Sequence, residues 1–311
     1  MRAVKAILAL SAVAGLMLGG MGVAEADRIG IANQAAFGNG VIETVDLDTH
    51  KVLGSFIPDG AKLGTNNGRG VQLFLGSNLV YYTELTNGFG PTDFIRVAPY
   101  NNGLGGADVL KFPNPVAGTG VVDLVGSGGF LYVLTGYPNG PEVVQKTDGS
   151  GNNIGAFVTL HKTNGANLTA SDGFTILPNG HWLINDDDGS NSYNEYDPLT
   201  GNEIPNTTIH AHDNNGLCGS STGVDFYGPS GTLFFDCNLN NMVENTLAGV
   251  FIANNPFDRG SFEDLSIDAG TVINPPNTTP EPATLILLGI GALGLVAFGR
   301  ARRAESGDGA N

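Results

Sequence analysis

Short hydrophobic segments recur along this sequence about every fifty residues, and this period limits the fold more than any other feature. Each segment is rich in β-branched or aromatic residues, and each is bounded by residues that favour turns. Periods of 20–50 residues are typical of repeat architectures, in which each unit is one supersecondary structure. The copies occupy residues 29–33, 79–83, 130–134, 181–185 and 232–236.

The residues around each segment repeat as well. A glycine and a short apolar stretch come first, at Gly70, Gly120, Gly173 and Gly223, and a tight turn rich in glycine, asparagine or proline follows. A second hairpin comes after the hydrophobic segment and is clearest at 41–46 and 51–56, with related turns at 148–151 and 198–201. Each unit is therefore predicted to form four short antiparallel strands.

Repeated four-stranded units predict an all-β fold, a β-propeller of five blades, with six as the alternative count. The first copy lacks its opening strand, and residues 261–267 offer one at the end of the repeat region. We expect this late strand to complete the first blade, because closing the ring removes exposed sheet edges. A β-sandwich does not require a fifty-residue period, and a solenoid usually has a shorter one.

The first unit resembles the YVTN/NHL class of propeller repeats. The resemblance is carried by 29–33, with the sequence IGIAN, and by 45–52, with the sequence VDLDTHKV. It implies a propeller spanning residues 27–274. It implies little about activity, because one fold supports many functions.

The N-terminal segment has the order of a secretory signal peptide. Arg2 and Lys5 precede an apolar run at 6–23, and a small-x-small pattern ends at Ala26. We expect residues 1–26 to be removed by cleavage before Asp27. An uncleaved membrane anchor is the alternative.

The C-terminal segment resembles the PEP-CTERM sorting signal. A polar linker at 275–279 is followed by Pro280, Glu281 and Pro282, an apolar run at 285–298 and three arginines, Arg300, Arg302 and Arg303. The resemblance implies that an exosortase-type enzyme sorts the protein to the cell surface or its exopolysaccharide. The apolar run is at the short limit for a transmembrane helix, and the arginines would keep residues 304–311 in the cytoplasm. A plain membrane anchor is the alternative interpretation.

The net charge of −16 argues against a nucleic-acid partner, because such a surface repels phosphate groups. It is consistent with solubility outside the cell or with binding of divalent cations. Asp186 and Asp188 lie in the densest acidic cluster and are candidate calcium ligands, although the cluster lacks the spacing of an EF-hand. His210 and His212 are a weaker candidate for zinc.

The chain has two cysteines, Cys218 and Cys237. In an exported protein they are predicted to form a disulfide within the last blade, and two buried free thiols are the alternative.

The sequence contains no complete catalytic motif, so it favours a non-catalytic binding or structural module of the cell envelope or biofilm matrix, with extracellular polysaccharide as its ligand. A metal-dependent hydrolase or lyase acting on polysaccharide or lactone is the alternative. That alternative would use residues near the mouth of the ring, with His181, Asp186 and Asp123 as candidates.

Overall fold

A computed structural model describes residues 29–34, 41–56, 69–84, 94–100, 107–137, 140–186, 192–211, 221–228, 230–237, 240–258 and 262–267. Strands dominate this part of the chain, with one short 3₁₀ turn at Leu75–Ser77. In chain order the strands are β1 Ile29–Gln34, β2 Ile42–Asp46, β3 Lys51–Phe56, β4 Val71–Phe74, β5 Leu79–Glu84, β6 Phe94–Pro99, β7 Leu110–Pro113, β8 Gly120–Ser127, β9 Phe130–Tyr137, β10 Val143–Thr147, β11 Val158–Thr159, β12 Phe174–Ile176, β13 Trp182–Asp186, β14 Ser192–Tyr196, β15 Ile209–His210, β16 Val224–Tyr227, β17 Thr232–Asp236, β18 Asn241–Thr246, β19 Phe251–Pro256 and β20 Phe262–Ile267.

These strands form five four-stranded antiparallel sheets, which are the blades of a propeller. Blades 2 to 5 each use four consecutive strands, in the order β4 to β7, β8 to β11, β12 to β15 and β16 to β19. Blade 1 has the order β20-β1-β2-β3, so the last strand of the propeller completes the first blade. The predicted fold class, the count of five blades and the closing strand are all confirmed.

The ring is closed by contacts between the innermost strands of neighbouring blades. β4 contacts β8, β8 contacts β12, β12 contacts β16, β16 contacts β20, and β20 contacts β4. Within blade 1, β20 pairs with β1 over the register Gly30 to Ile267 and Asn33 to Asp264. The C-terminal strand therefore joins the two ends of the repeat and leaves no open sheet between blades 5 and 1.

Five hydrophobic clusters fill the spaces between adjacent blades, one cluster for each interface. The cluster between blades 2 and 3 includes Phe74 and Tyr81, whose rings meet edge to face at 5.3 Å. Between blades 4 and 5, Tyr193 lies against Phe235 at 4.9 Å. Burial of these large side chains between sheets is the main stabilising contribution to the ring.

The hairpin turns follow the residue chemistry that predicted them. Asn78 has a φ of 55° at the end of the first turn of blade 2, a left-handed conformation that asparagine tolerates. At the turn between β2 and β3, the third and fourth strands of blade 1, Asp46 accepts the N–H groups of Asp48 at 2.9 Å and Thr49 at 3.1 Å. Asp148 makes the same kind of turn in blade 3. We call this side of the ring, where the tight hairpins lie, the turn end.

The blades differ most in their outermost strands. β11 and β15 have only two residues each, and irregular segments separate them from the preceding strands. The sequence suggested that the turn at 198–201 leads directly into the outer strand of blade 4. Instead, an irregular segment follows this turn before β15 begins at Ile209. The likeness to the YVTN/NHL class stays a resemblance.

The predicted terminal segments lie outside the described residues, and the predicted disulfide lies partly outside them. Within the described residues, none of the helices is long or apolar enough to cross a membrane. The predicted signal peptide, the linker, residues 280–303 and the tail lie outside the described ranges, as does Cys218. Cys237 is buried and disulfide-bonded. Its pairing with Cys218 stays a prediction, because Cys218 lies outside the described residues.

Candidate functional site at the glycine end of the channel

The innermost strands begin at the end of the ring opposite the turn end. We call this side the glycine end. A Cβ atom added at Gly223 would lie 2.7 Å from Asp236 Oδ2 and 2.8 Å from the Cα of Asp264. At Gly173 it would overlap the carbonyl oxygen of Thr222. At Gly173 and Gly223 the repeated glycine thus lies where two blades meet without room for a side chain, whereas Gly70 has a φ of 85°, which also favours glycine.

Carboxylates on the innermost strands bind the backbone of the next blade. Asp264 Oδ2 accepts the N–H of Val71 in blade 2 at 2.6 Å. In the same way, Asp123 Oδ2 accepts the N–H of Phe174 in blade 4 at 2.6 Å. Asp225 Oδ2 accepts the N–H of Ile267 in blade 1, also at 2.6 Å. Because a buried backbone donor without an acceptor is costly, these side chains link neighbouring blades.

Asp123 and Asp264 also bond to each other across the channel wall, and they are 2% and 1% exposed. Burial raises the pKa of both carboxyl groups well above the ordinary range, and the proximity of the two charges raises that of Asp123 further. The pair therefore keeps a proton to higher pH than two separate, exposed carboxyl groups would.

Arg69 crosses the mouth of the channel at the glycine end. Its guanidinium forms an ion pair with Asp172, which precedes β12, and Nε lies 3.5 Å from Glu263 Oε1 in β20. The same group lies 5.5 Å from the ring centroid of Tyr137, at the end of β9. Arg69 thus connects side chains from blades 1, 3 and 4 to the entry of blade 2.

Glu142 is a fully buried carboxyl group at the start of β10. Its Oε1 accepts the N–H of Ser171 at 2.9 Å, and its Oε2 has no hydrogen-bond partner within the described residues. Burial raises the pKa of Glu142 to about 7, and the nearby carboxylates of Asp172 and Asp186 raise it as well. A carboxyl group of this kind can hold or release a proton near neutral pH.

The structure separates two of the residues predicted to lie near a mouth. Asp186 ends β13 and accepts a hydrogen bond from Lys162 Nζ at 2.5 Å. His181 precedes β13 at the turn end, where its Nδ1 lies 2.7 Å from Glu195 Oε2. A five-residue strand separates the two side chains by roughly 16 Å, so they do not converge. Asp123 lies in the channel wall, apart from His181.

The predicted metal ligands do not form a site in the described part of the chain. No three His, Cys, Asp or Glu side chains there are grouped so that they could hold a metal ion. Asp186 is bonded to Lys162, and His210 is exposed on β15. Asp188 and His212 lie outside the described residues, so the calcium and zinc hypotheses on those two residues stay predictions.

Sequence reasoning missed the residues that dominate the glycine end. Arg69 and Asp172 are 103 positions apart and pair only because blades converge, and Glu142 lies close enough for the charge of Asp172 to raise its pKa. The sequence did contain one signal for these residues. Asp225 and Asp264 are acidic residues within short strands whose other residues are mostly apolar and typical of a packed core. An acidic residue in such a place indicates a paired or protonated group.

Comparison with models of known protein families gives a match for the C-terminal segment. Residues 278–303 match the PEP-CTERM protein-sorting motif. No curated protein matches the sequence significantly. The molecule is thus a five-bladed propeller that carries the sorting signal of exported, envelope-associated proteins recognised by an exosortase-type enzyme. Pro280, Glu281, Pro282 and the arginines Arg300, Arg302 and Arg303 lie within the matched residues, although outside those that the structure describes.

Proposed function

We propose that this protein is an exported, non-catalytic propeller that binds extracellular carbohydrate after an exosortase-type enzyme has sorted it. The observation that carries the proposal is the sorting motif at 278–303, which lies C-terminal to the last propeller strand, Phe262–Ile267. In this proposal residues 1–26 are cleaved on export. The apolar run at 285–298 anchors the chain in the membrane until sorting, with residues 304–311 on the cytoplasmic side. The propeller then faces the matrix polymers outside the cell.

The bonding of the channel carboxylates supports a binding role over a catalytic one. Asp123, Asp225 and Asp264 accept backbone N–H groups of neighbouring blades, so they connect sheets and are not directed at a ligand. Arg69 is held by two carboxylates at the mouth. Groups used in this way rigidify the ring, and a rigid ring can present its loops and flanks as a binding surface.

Sorting is tested with two matched variants. Deleting residues 280–311 is expected to release the propeller into the medium, because the apolar run and the arginines are lost. Replacing Pro280, Glu281 and Pro282 together with alanine keeps the apolar run, so we expect an unsorted form that stays in the membrane. Fractionation of cells and medium measures both outcomes. Envelope retention of the deleted form would contradict the proposal.

A second candidate function, a hydrolase or lyase, is favoured by one observation, the buried Glu142 with a pKa of about 7. A base poised near neutral pH is a common feature of active sites. In this alternative Glu142 would exchange a proton with polysaccharide or lactone. A calcium ion, if it were bound, would polarise the substrate. Asp186 and Asp188 are the residues predicted to hold it.

The Glu142→Gln variant distinguishes the two functions. The folded-state pKa of Glu142 is raised, so its contribution to stability is present below the unfolded pKa of 4.5 and is lost as pH rises through about 7. Glutamine keeps the acceptor for Ser171 and carries no charge. We expect the variant to match the wild type at pH 4 and to exceed it by about 3 kcal/mol at pH 8, by urea denaturation. If the stability difference between the variant and the wild type is the same at pH 4 and pH 8, the raised pKa of Glu142 is contradicted. If the wild type turns over polysaccharide or lactone and the variant does not, the enzyme function is favoured.

A further inference from the structure

A groove lies on the flank of the ring between blades 3 and 4, near the turn end and away from the channel. It encloses about 260 Å³. Blade 3 contributes one wall from β9, β10 and β11, and blade 4 contributes the other from β13 and the turn after β14. The lining includes Tyr132, Val144, Lys146, Val158, Trp182 and Leu199. The volume is slightly below that of pockets for drug-sized ligands, so it suits a unit of about one ring.

Apolar side chains at the rim of this groove are unusually exposed. Leu199 is 88% exposed and Ile154 is 41% exposed, and both line the groove. Phe157, between the lining residues Ala156 and Val158, is 57% exposed. Isolated exposed apolar residues are ordinary, but a group of them around a concave site is typical of a binding surface.

Lys146 is the positively charged residue of the groove lining. Its Nζ lies 3.7 Å from the ring centroid of Phe130 and 5.6 Å from that of Tyr132. In the part of the chain that the structure describes, Lys146 forms no ion pair with a carboxylate. The net charge of −16 repels anions at long range, so attraction of an anion to this groove depends on the local charge of Lys146.

We propose that the groove binds a hexuronate ring of an acidic polysaccharide, an inference that rests on the proposed carbohydrate-binding function. The C–H face of the sugar packs against Tyr132, beside the small exposed part of Trp182, which is 4% exposed. Its carboxylate forms a charge-assisted hydrogen bond with Lys146 Nζ. The open rim allows the polymer to continue on both sides of the bound ring. A neutral sugar would leave Lys146 without an anion.

Trp182 makes this proposal directly measurable, because it is the only tryptophan of the chain and lines the groove. The full chain in lipid nanodiscs is titrated with trigalacturonate, and the emission of Trp182 is followed. We expect a saturable change that weakens with added salt, and roughly tenfold weaker binding in Lys146→Met. The matched control is Lys111→Met, because the Nζ of Lys111 lies 3.6 Å from the ring centroid of Phe94 in blade 2, outside the groove. It should bind as the wild type does.

Two further probes separate the possible failures. Neutral galactotriose is expected to bind at least tenfold more weakly than trigalacturonate, and octanoate tests whether any carboxylate with an apolar face enters. Preference for octanoate, or equal binding by Lys146→Met, would overturn the groove assignment. Sedimentation with polysaccharide from the producing culture tests the broader function. If the wild type sediments with the polysaccharide and Lys146→Met does so equally, the groove assignment alone is rejected. If the wild type does not sediment with the polysaccharide, the carbohydrate-binding function itself is rejected.

Discussion

Replacing Gly173 with alanine is expected to destabilise the propeller by about 3 kcal/mol or more. The new Cβ would overlap the carbonyl oxygen of Thr222 and lie 3.2 Å from the Cα of Gly223. Both neighbours are backbone atoms of blade 5, so rotation of a side chain cannot relieve the overlap. The blades must move apart, and the bonds between innermost strands are then weakened. Urea denaturation of the variant and the wild type measures the effect.

Gly228→Ala is the matched control. An added Cβ there would have its nearest heavy atom, in Phe226, at 4.0 Å. The chain after β16 therefore has room for a methyl group, and we expect a change within about 0.5 kcal/mol. Equal destabilisation by the two substitutions would show that close approach of the innermost strands does not explain the repeated glycine.

The glycine pattern shows what a sequence repeat can and cannot reveal. Its period located the start of each unit, and together with the turn residues it predicted four strands per blade. At Gly173 and Gly223 the reason for the glycine lies in the contact between blades, which appears only when the blades are arranged around one axis. The closing strand was predictable because the first unit lacked a strand and one remained at 261–267.

The side chains at the mouth could not be predicted in the same way. Their positions depend on how far each connecting segment carries the chain, and no local pattern encodes that distance. Arg69 meets Asp172 and Glu263 because the beginnings of blades 2, 4 and 1 converge. His181 and Asp186 are close in sequence yet lie at opposite ends of one extended strand. Sequence proximity therefore misled the search for a mouth, and long-range contacts formed it.

The division of charge over the molecule is consistent with the proposed roles of its two sides. At the glycine end the carboxylates are bonded to backbone donors, to Arg69 or to each other, so the ring is held at its narrowest point. The groove between blades 3 and 4 instead has an exposed apolar rim and a lysine without a carboxylate partner in the described structure. A rigid centre with a binding flank suits a module that holds a matrix polymer.

The Asp123–Asp264 pair is expected to make stability depend strongly on pH. Both folded-state pKa values are raised, so the stabilising contribution is complete below the unfolded pKa of 3.8 and is lost as pH rises towards the folded values. While the folded pair holds one proton that the unfolded chain releases, stability falls by about 1.4 kcal/mol per pH unit. In Asp123→Asn the amide donates to Asp264 without a shared proton, so we expect that slope to flatten.

The absolute stability of Asp123→Asn is not the decisive quantity, because its amide nitrogen cannot accept one of the two backbone N–H groups that Asp123 now binds. The slope of the unfolding free energy between pH 5 and pH 8 is the measurement that matters. Asp225→Asn is the control, because Asp225 also accepts a backbone N–H of the next blade, that of Ile267. The control should lose stability at every pH and keep the slope of the wild type. Equal slopes in all three proteins would mean that the channel pair does not retain a proton on folding.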